Sequence, residues 1–489
     1  MTRLHQSVST WLAGVALVLS ACGGSAQQPA PTSAPAPKPT EAPKPAAAAP
    51  TQPPAPTQAP AAAPTNTSAP AAAAAPAKAA PSTVKFWVLT DLDRHMAPVY
   101  EQFAKDRPSI TLDHQALPFS GYTEKLLTGI AGGAAPDLTY VHPTWVTLFA
   151  TQNAIMPLND VAQKDARFNV QDFYENVVGY FTYKGKTYGL PATSWPLITY
   201  FNKTLLQKQG APLPTEFTKD YDNLGDDWTW DKALDVAQKA TSGQGASKTF
   251  GFAPGYGANA RSLDTLWPML AERGGAVWSD DLTKTRLTEP VAVDAIRFHA
   301  ELVTRHKVQA LPSEIEGMSE QLQVQSGRFA MITWNRATLP NFVDVKYEAG
   351  MAPYPRGPKG RVVRDGPSAV SLLGSSKVQE QAWTFLSWFV GPEPGNAGGT
   401  GFLLKARYGV PVRKSLTDYP EYVKNLLPWE DAKIYADSST RVRVLPLVAR
   451  FAEINTLWGE QFDKIIFGKA TVEEAVKEFA TKAEPMLTS

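Results

Sequence analysis

The chain of 489 residues contains one cysteine, Cys22, and six histidines, and its 47 basic and 46 acidic side chains nearly cancel to a net charge of +1. Each scarcity excludes something. A single thiol permits no internal disulfide and no thiolate metal site, so the fold must rest on a large apolar core. Near-zero net charge argues against a dominant surface for nucleic acid or an anionic membrane. No His-Glu-x-x-His and no Gly-x-Ser-x-Gly is present, so two common signatures of hydrolysis are missing. The apolar run from Trp11 to Leu19 is too short to span a bilayer, which takes about 20 residues.

What is present begins at that run. Arg3 and His5 precede it, and Leu19-Ser20-Ala21-Cys22 follows. A basic start, an apolar middle and small residues at the end describe a secretory signal. An ordinary cleaved signal is one reading. The other is a lipobox, because all four positions resemble the bacterial lipoprotein pattern. On that reading residues 1–21 are a lipoprotein signal peptide and Cys22 is the first mature residue, the site of lipid attachment. Each buried CH₂ of its acyl chains adds about 0.8 kcal/mol to the anchoring. Residues 22–82 repeat Pro, Ala, Thr and Gln with hardly a bulky apolar side chain. Such a stretch cannot offset its ordering entropy, so a disordered stalk is expected, biased to polyproline II at about 3.1 Å per residue.

The composition changes at Val84. Val84–Leu89 alternates as a strand, Met96–Arg107 reads as a helix ending before Pro108, and Ile110–Gln115 reads as a second strand. Tyr122–Gly132 is a helix closed by a glycine pair, Asp137–Val141 a third strand and Thr144–Gln152 another helix. Strands alternating with helices predict an α/β fold built on parallel βαβ units. About 400 residues exceed one ordinary core, so two lobes are expected.

Several segments, in order, resemble the extracellular solute-binding proteins of bacterial ABC importers, in the sugar-type group (family 1). They are Ala135-Pro136-Asp137-Leu138, Gly185-Lys186-Thr187-Tyr188-Gly189-Leu190-Pro191, Tyr200-Phe201-Asn202-Lys203, Asp227-Trp228-Thr229-Trp230-Asp231, Ser326-Gly327-Arg328-Phe329-Ala330-Met331, Gly350-Met351-Ala352-Pro353-Tyr354-Pro355 and Tyr408-Gly409-Val410-Pro411-Val412-Arg413. Phe201 and Ile198 depart from the family's usual residues. The resemblance implies a two-lobe, periplasmic-binding-protein-like (type II) fold over residues 83–489. The first lobe would span about 83–187 and 352–400, the second about 188–351 and 401–489. It further implies a ligand in the cleft between them, hinge closure around that ligand, and delivery to the transmembrane subunits of an ABC permease. A monomer without cofactor or metal is expected, lipid-anchored to the outer face of the cytoplasmic membrane.

Open α/β sheets bind ligands beyond the carboxyl ends of their strands. That rule selects Thr90, Asp91 and Asp93 after the first strand, Phe119 and Tyr122 after the second, and His142 and Trp145 after the third. It adds Trp195 beyond the hinge approach, Trp334 and Arg336 beyond Ala330-Met331-Ile332, and Tyr256 in a glycine-rich loop. Rings suit the apolar faces of a pyranose, and Asp, Arg and His suit its hydroxyls. For each residue a plainer role stays open: hinge packing for Trp195, a helix cap for Asp91, a surface charge for Arg336. Trp267, Trp383, Trp388 and Trp458 lie in apolar helical stretches and are read as core. Two other functions use the same chain: a module presenting ligand to a receptor, and a glycoside hydrolase working through Asp91 and Asp93, which would need carboxyls about 5–9 Å apart.

Overall fold

The computed structural model describes residues 81–218, 227–254, 261–336, 339, 342, 344–446, 448 and 450–487. The signal, the lipobox with Cys22, and the stalk up to residue 80 lie outside the described residues, as does Tyr256.

Alternation places the first strand, β1 (Ser82–Leu89): Val84, Phe86 and Val88 are buried while Thr83 and Lys85 face solvent. β2 (Ile110–Leu117) pairs with it in parallel along its whole length, and β3 (Leu138–Val141) adds in parallel on the other side. Every residue of β3 is buried, as a central strand covered on both faces requires. The core above this sheet joins Phe86 to Phe385 at 5.6 Å and Phe103 to Phe385 at 5.0 Å. It thus welds β1 to the helices Ala97–Asp106 and Gln379–Val390.

After the short hairpin of β4 (Thr182–Tyr183) and β5 (Lys186–Thr187) comes β6 (Leu190–Thr193), then β7 (Ile198–Asn202), β8 (Phe250–Pro254), β9 (Phe329–Trp334), β10 (Ala349–Ala352) and β11 (Ser368–Leu372). The first sheet has the order β2-β1-β3-β11-β6 and the second β10-β7-β9-β8. Asn202 ends β7 and starts the next helix at once, its Oδ1 accepting the Leu205 N–H at 2.8 Å. Thr229 likewise caps Trp230–Ala240. That helix lies so close to β8 that a side chain on Gly251 would meet the Ala237 carbonyl oxygen at 1.9 Å.

Two sheets make two lobes, and the sheet memberships locate the crossings. β6 bonds to β11 of the first sheet, so the chain leaves the first lobe at 194–197, a little after the expected 188. It returns through 353–367, between β10 and β11. The helix Thr400–Lys405 still packs on β6 and on Ala97–Asp106, which moves the last departure beyond 405. The helix Ala432–Arg441 then touches both Glu175–Gly179 and β7, and Val442 runs parallel to Val363 of the second crossing.

The second lobe has its own apolar cluster, in which Pro290–Thr304, Phe451–Ile466 and Val472–Leu487 enclose Trp458 and His299. Burying one large apolar side chain in this way stabilises by about 1.5–3 kcal/mol. Nearby, Glu272 accepts from Trp230 Nε1 at 2.7 Å and from the Val362 N–H at 3.0 Å. Burial pushes its carboxyl up to about 8, and its bonds tie the second crossing to this lobe. Among the described residues, no helix is long and apolar enough to cross a membrane.

Candidate functional site

Crossing strands need a joint, and here it is a carboxylate. Asp365 Oδ2 accepts from the Ser194 hydroxyl, while Oδ1 accepts from the Trp195 N–H at 2.5 Å and the Gly366 N–H at 2.7 Å. Ser194 and Trp195 belong to the first crossing, Asp365 and Gly366 to the second. Burial pushes the Asp365 carboxyl up to about 6, against the pull of these three donors. Its own N–H donates to the Tyr180 hydroxyl at 3.0 Å, and Tyr180 in turn donates to the Arg443 carbonyl at 3.3 Å. That carbonyl also accepts from Trp267 Nε1 at 3.2 Å. One backbone oxygen therefore links a first-lobe tyrosine to a second-lobe tryptophan.

Beside this joint lies a small chamber of about 50 Å³. His142 and Thr144, just past the carboxyl end of β3, form its first-lobe wall. His142 Nδ1 accepts the Thr144 N–H at 3.3 Å and sits 2.7 Å from the Thr144 hydroxyl. Burial, with Arg364 close by, pushes the imidazole down to about 4. The ring is then neutral with its proton on Nε2, available as a donor. Asp264 and Trp267 form the second-lobe wall. They stand three residues apart in the helix Leu263–Ala271, hence on one face, and Ser262 Oγ caps that helix through the Asp264 N–H at 3.1 Å. Burial raises the Asp264 carboxyl and Arg364 opposes the rise. Arg364 itself comes from the second crossing, and its Nε is buried without a hydrogen-bond partner.

The aromatic residues of the first lobe gather next to His142. Phe119, half exposed, stands edge-on to His142 at 5.2 Å and lies 4.8 Å from Trp145. Trp145 stacks on Tyr122 at 5.1 Å. Tyr122 forms the layer beneath: it is buried, and its hydroxyl donates to the Trp87 carbonyl at 2.7 Å. Trp195 is also buried and meets Tyr408 edge-on at 4.6 Å, beside the joint. Thr90 and Asp91 lie in the short helix Thr90–Asp93 beyond β1, where Asp91 is exposed and pairs with Arg94 at 3.4 Å. Asp93 accepts from the Tyr100 hydroxyl at 2.8 Å.

Two expected wall residues are placed elsewhere. Trp334 belongs to the core of the second lobe. Arg336 is 0% exposed, bonded to Glu430 at 2.9 Å and to the Gly409 carbonyl at 2.9 Å, between the rings of Tyr422 and Tyr435. A buried guanidinium requires such a partner, and the chain beyond β9 turns inward to supply it. Conversely, Trp267, read as core, stands on the chamber wall. Asp264, Arg364, Asp365, Tyr180 and Tyr408 escaped the sequence reading. The rule of strand ends stopped at the loop after β8; one element further it reaches Asp264.

Two α/β lobes on exchanged strands, with a polar chamber at their joint, define a type II binding-protein architecture. The model of the bacterial extracellular solute-binding proteins matches residues 89–396, and the chain belongs to that family. A putative binding protein of Brucella abortus is 25% identical over 402 residues, covering 80% of this chain and 89% of its own. The mannitol-binding protein of Pseudomonas aeruginosa is 24% identical over 405 residues, covering 76% and 86%. Among solved structures, an ABC substrate-binding protein of Listeria monocytogenes in complex with cycloalternan superposes with a TM-score of 0.70 at 20% identity, covering 83% of this chain and 99% of its own. Family and fold are those of binding proteins rather than enzymes.

Proposed function

We propose that this protein is the substrate-binding component of an ABC importer, exported, tethered through lipid on Cys22, and specific for a carbohydrate. The observation that carries the reading is the chamber itself: it lies where the two lobes and their crossings meet, its walls combine hydrogen-bonding groups with the ring of Trp267, and the rings of Phe119 and Trp145 stand next to His142. Sugar C–H faces suit Trp145, Phe119 and Trp267, and hydroxyls suit His142, Asp264 and Arg364. The relatives named for mannitol and cycloalternan support a polyhydroxylated ligand. At about 50 Å³ the chamber is smaller than the roughly 300–1,000 Å³ of ordinary ligand sites. A solute therefore enters when the lobes part. Its contacts with both walls then favour the closed state, which is the form a permease recognises.

The stalk and the lipid would hold this body at the outer face of the membrane. A hydrolytic role for Asp91 and Asp93 finds no support, since one pairs with Arg94 and the other with Tyr100. Isothermal titration of the mature chain with mono- and oligosaccharides, joined to X-ray scattering, tests the reading. Saturable heat, a smaller radius of gyration and unchanged sugar are expected. Neither heat nor contraction with any sugar, or conversion of the sugar to product, would overturn it.

A further inference from the structure

The chamber holds two charged side chains with open valences. Arg364 lines it with a buried Nε that meets no acceptor. Asp264 lines it from the opposite wall, and among the described residues no donor meets its carboxylate. The two feel each other's charge yet form no direct ion pair among the described residues. The other groups there already carry hydrogen bonds or no charge. Asp365 accepts from Ser194, Trp195 and Gly366, His142 is neutral and keeps Nε2 as a donor, and the Tyr180 hydroxyl both donates and accepts. Arg364 is also held in place, because its carbonyl accepts the Leu197 N–H at 3.2 Å and its chain neighbour is the joint.

Leaving a buried donor such as Arg364 Nε without an acceptor is costly, and half-buried Asp264 offers an open acceptor in the same chamber, so a ligand that answers both is favoured. A pair of neighbouring hydroxyls does so, one accepting from Arg364 and the other donating to Asp264. A carboxylate answers Arg364 but stands against Asp264, and an ammonium does the reverse. In a sheltered cavity such like-charge contacts are weakly screened. Resting on the carbohydrate reading above, we infer that Arg364 and Asp264 are the specificity-determining pair, which selects uncharged vicinal diols and rejects their acidic and amino counterparts.

Two matched sets of probes test this at pH 7 by titration calorimetry on the mature chain: glucose, glucuronate and glucosamine, and glucitol, gluconate and glucamine. The wild type is expected to bind a neutral member at least about 10-fold more tightly than either charged analogue, the scale on which specificity is read as a difference of affinities. Asp264→Asn should raise the rank of the acids, and Arg364→Gln that of the amines. Arg364→Lys, which keeps the charge and loses the planar fork, should weaken neutral binding while preserving the wild-type order; it also serves if the glutamine variant does not fold. Equal wild-type affinity for a neutral probe and its charged analogue overturns the inference and leaves carbohydrate binding intact. So does a uniform loss across all probes in the variants. A wild type that binds no probe, and no sugar in the broader panel, overturns the carbohydrate reading and this inference with it.

Discussion

On the first-lobe side the chamber is approached across rings, Phe119, Trp145 and Tyr122 packed in layers behind a neutral histidine. On the second-lobe side it is bounded by a carboxylate on a helix and, at the crossing, by a guanidinium. Rings form a wall by packing alone, so they can stand half exposed at little cost, as Phe119 does. Charges hold a position only where something fixes their backbone, and both are fixed: Asp264 by the Ser262 cap, Arg364 by its place beside Asp365. The contrast teaches that the first lobe adds a packed aromatic surface behind His142, while the second lobe adds a charge held fixed beside Trp267.

The largest effects should fall away from the chamber, in the second lobe's interior. Trp334→Ala is expected to lose about 3–5 kcal/mol of stability through the cavity it opens. Arg336→Ala should lose a similar amount by stranding buried Glu430. Urea unfolding measures both, and calorimetry should find sugar affinity unchanged in the folded fraction. Weakened binding at full stability would show that core and wall are not separate.

A second comparison uses pH, with one residue from each lobe. Glu272 titrates near 8 when folded and near 4.5 when unfolded, so its contribution is lost as pH rises from about 4.5 to 8. Glu272→Gln should therefore gain on the wild type across that window, by on the order of 5 kcal/mol. His142 behaves in the opposite sense. Its folded value near 4 lies below 6.5, so its stability is present above 6.5 and lost as pH falls toward 4. His142→Phe should gain on the wild type over that interval by on the order of 3 kcal/mol. Thermal unfolding at a series of pH values reads both slopes, and parallel slopes would remove the distinction between the lobes.

Smaller effects belong to the rings. Trp145→Ala and Trp267→Ala should each weaken sugar binding by about 1–3 kcal/mol, read by titration, and Trp145, packed on Tyr122, should also lower the unfolding midpoint. Asp91→Asn should change stability by less than about 1 kcal/mol, because its pair with Arg94 is exposed. A large loss there would put the first lobe's wall at β1 instead.

Much of the fold could be read from period and punctuation. Val84–Leu89 alternates because one sheet face is buried, and Pro108 ends the helix before β2 for steric reasons. The placement of the first-lobe candidates was legible for the same cause: strand ends bring Phe119, His142 and Trp145 side by side. The second-lobe wall was not. Asp264 looks like any acid in a helix's first turn, and Arg364 stands in a loop between β10 and β11 with no pattern around it. Trp334 and Arg336 lie in the second lobe's interior for a different reason. A strand's end fixes how high a residue sits but not which way the following chain bends, and here it bends toward Glu430.

The carboxylate joint also bears on how the proposed opening would run. With the first two crossings pinned at Asp365, the proposed separation of the halves would be a rotation about that pivot, with displacement growing with distance from it. A chamber so close to the pivot would widen enough for a solute only after the more distant interlobe faces had swung much further apart. A fluorophore pair on those distant faces would report such a stroke with the greatest leverage, and the same pair placed beside Trp195 would move far less.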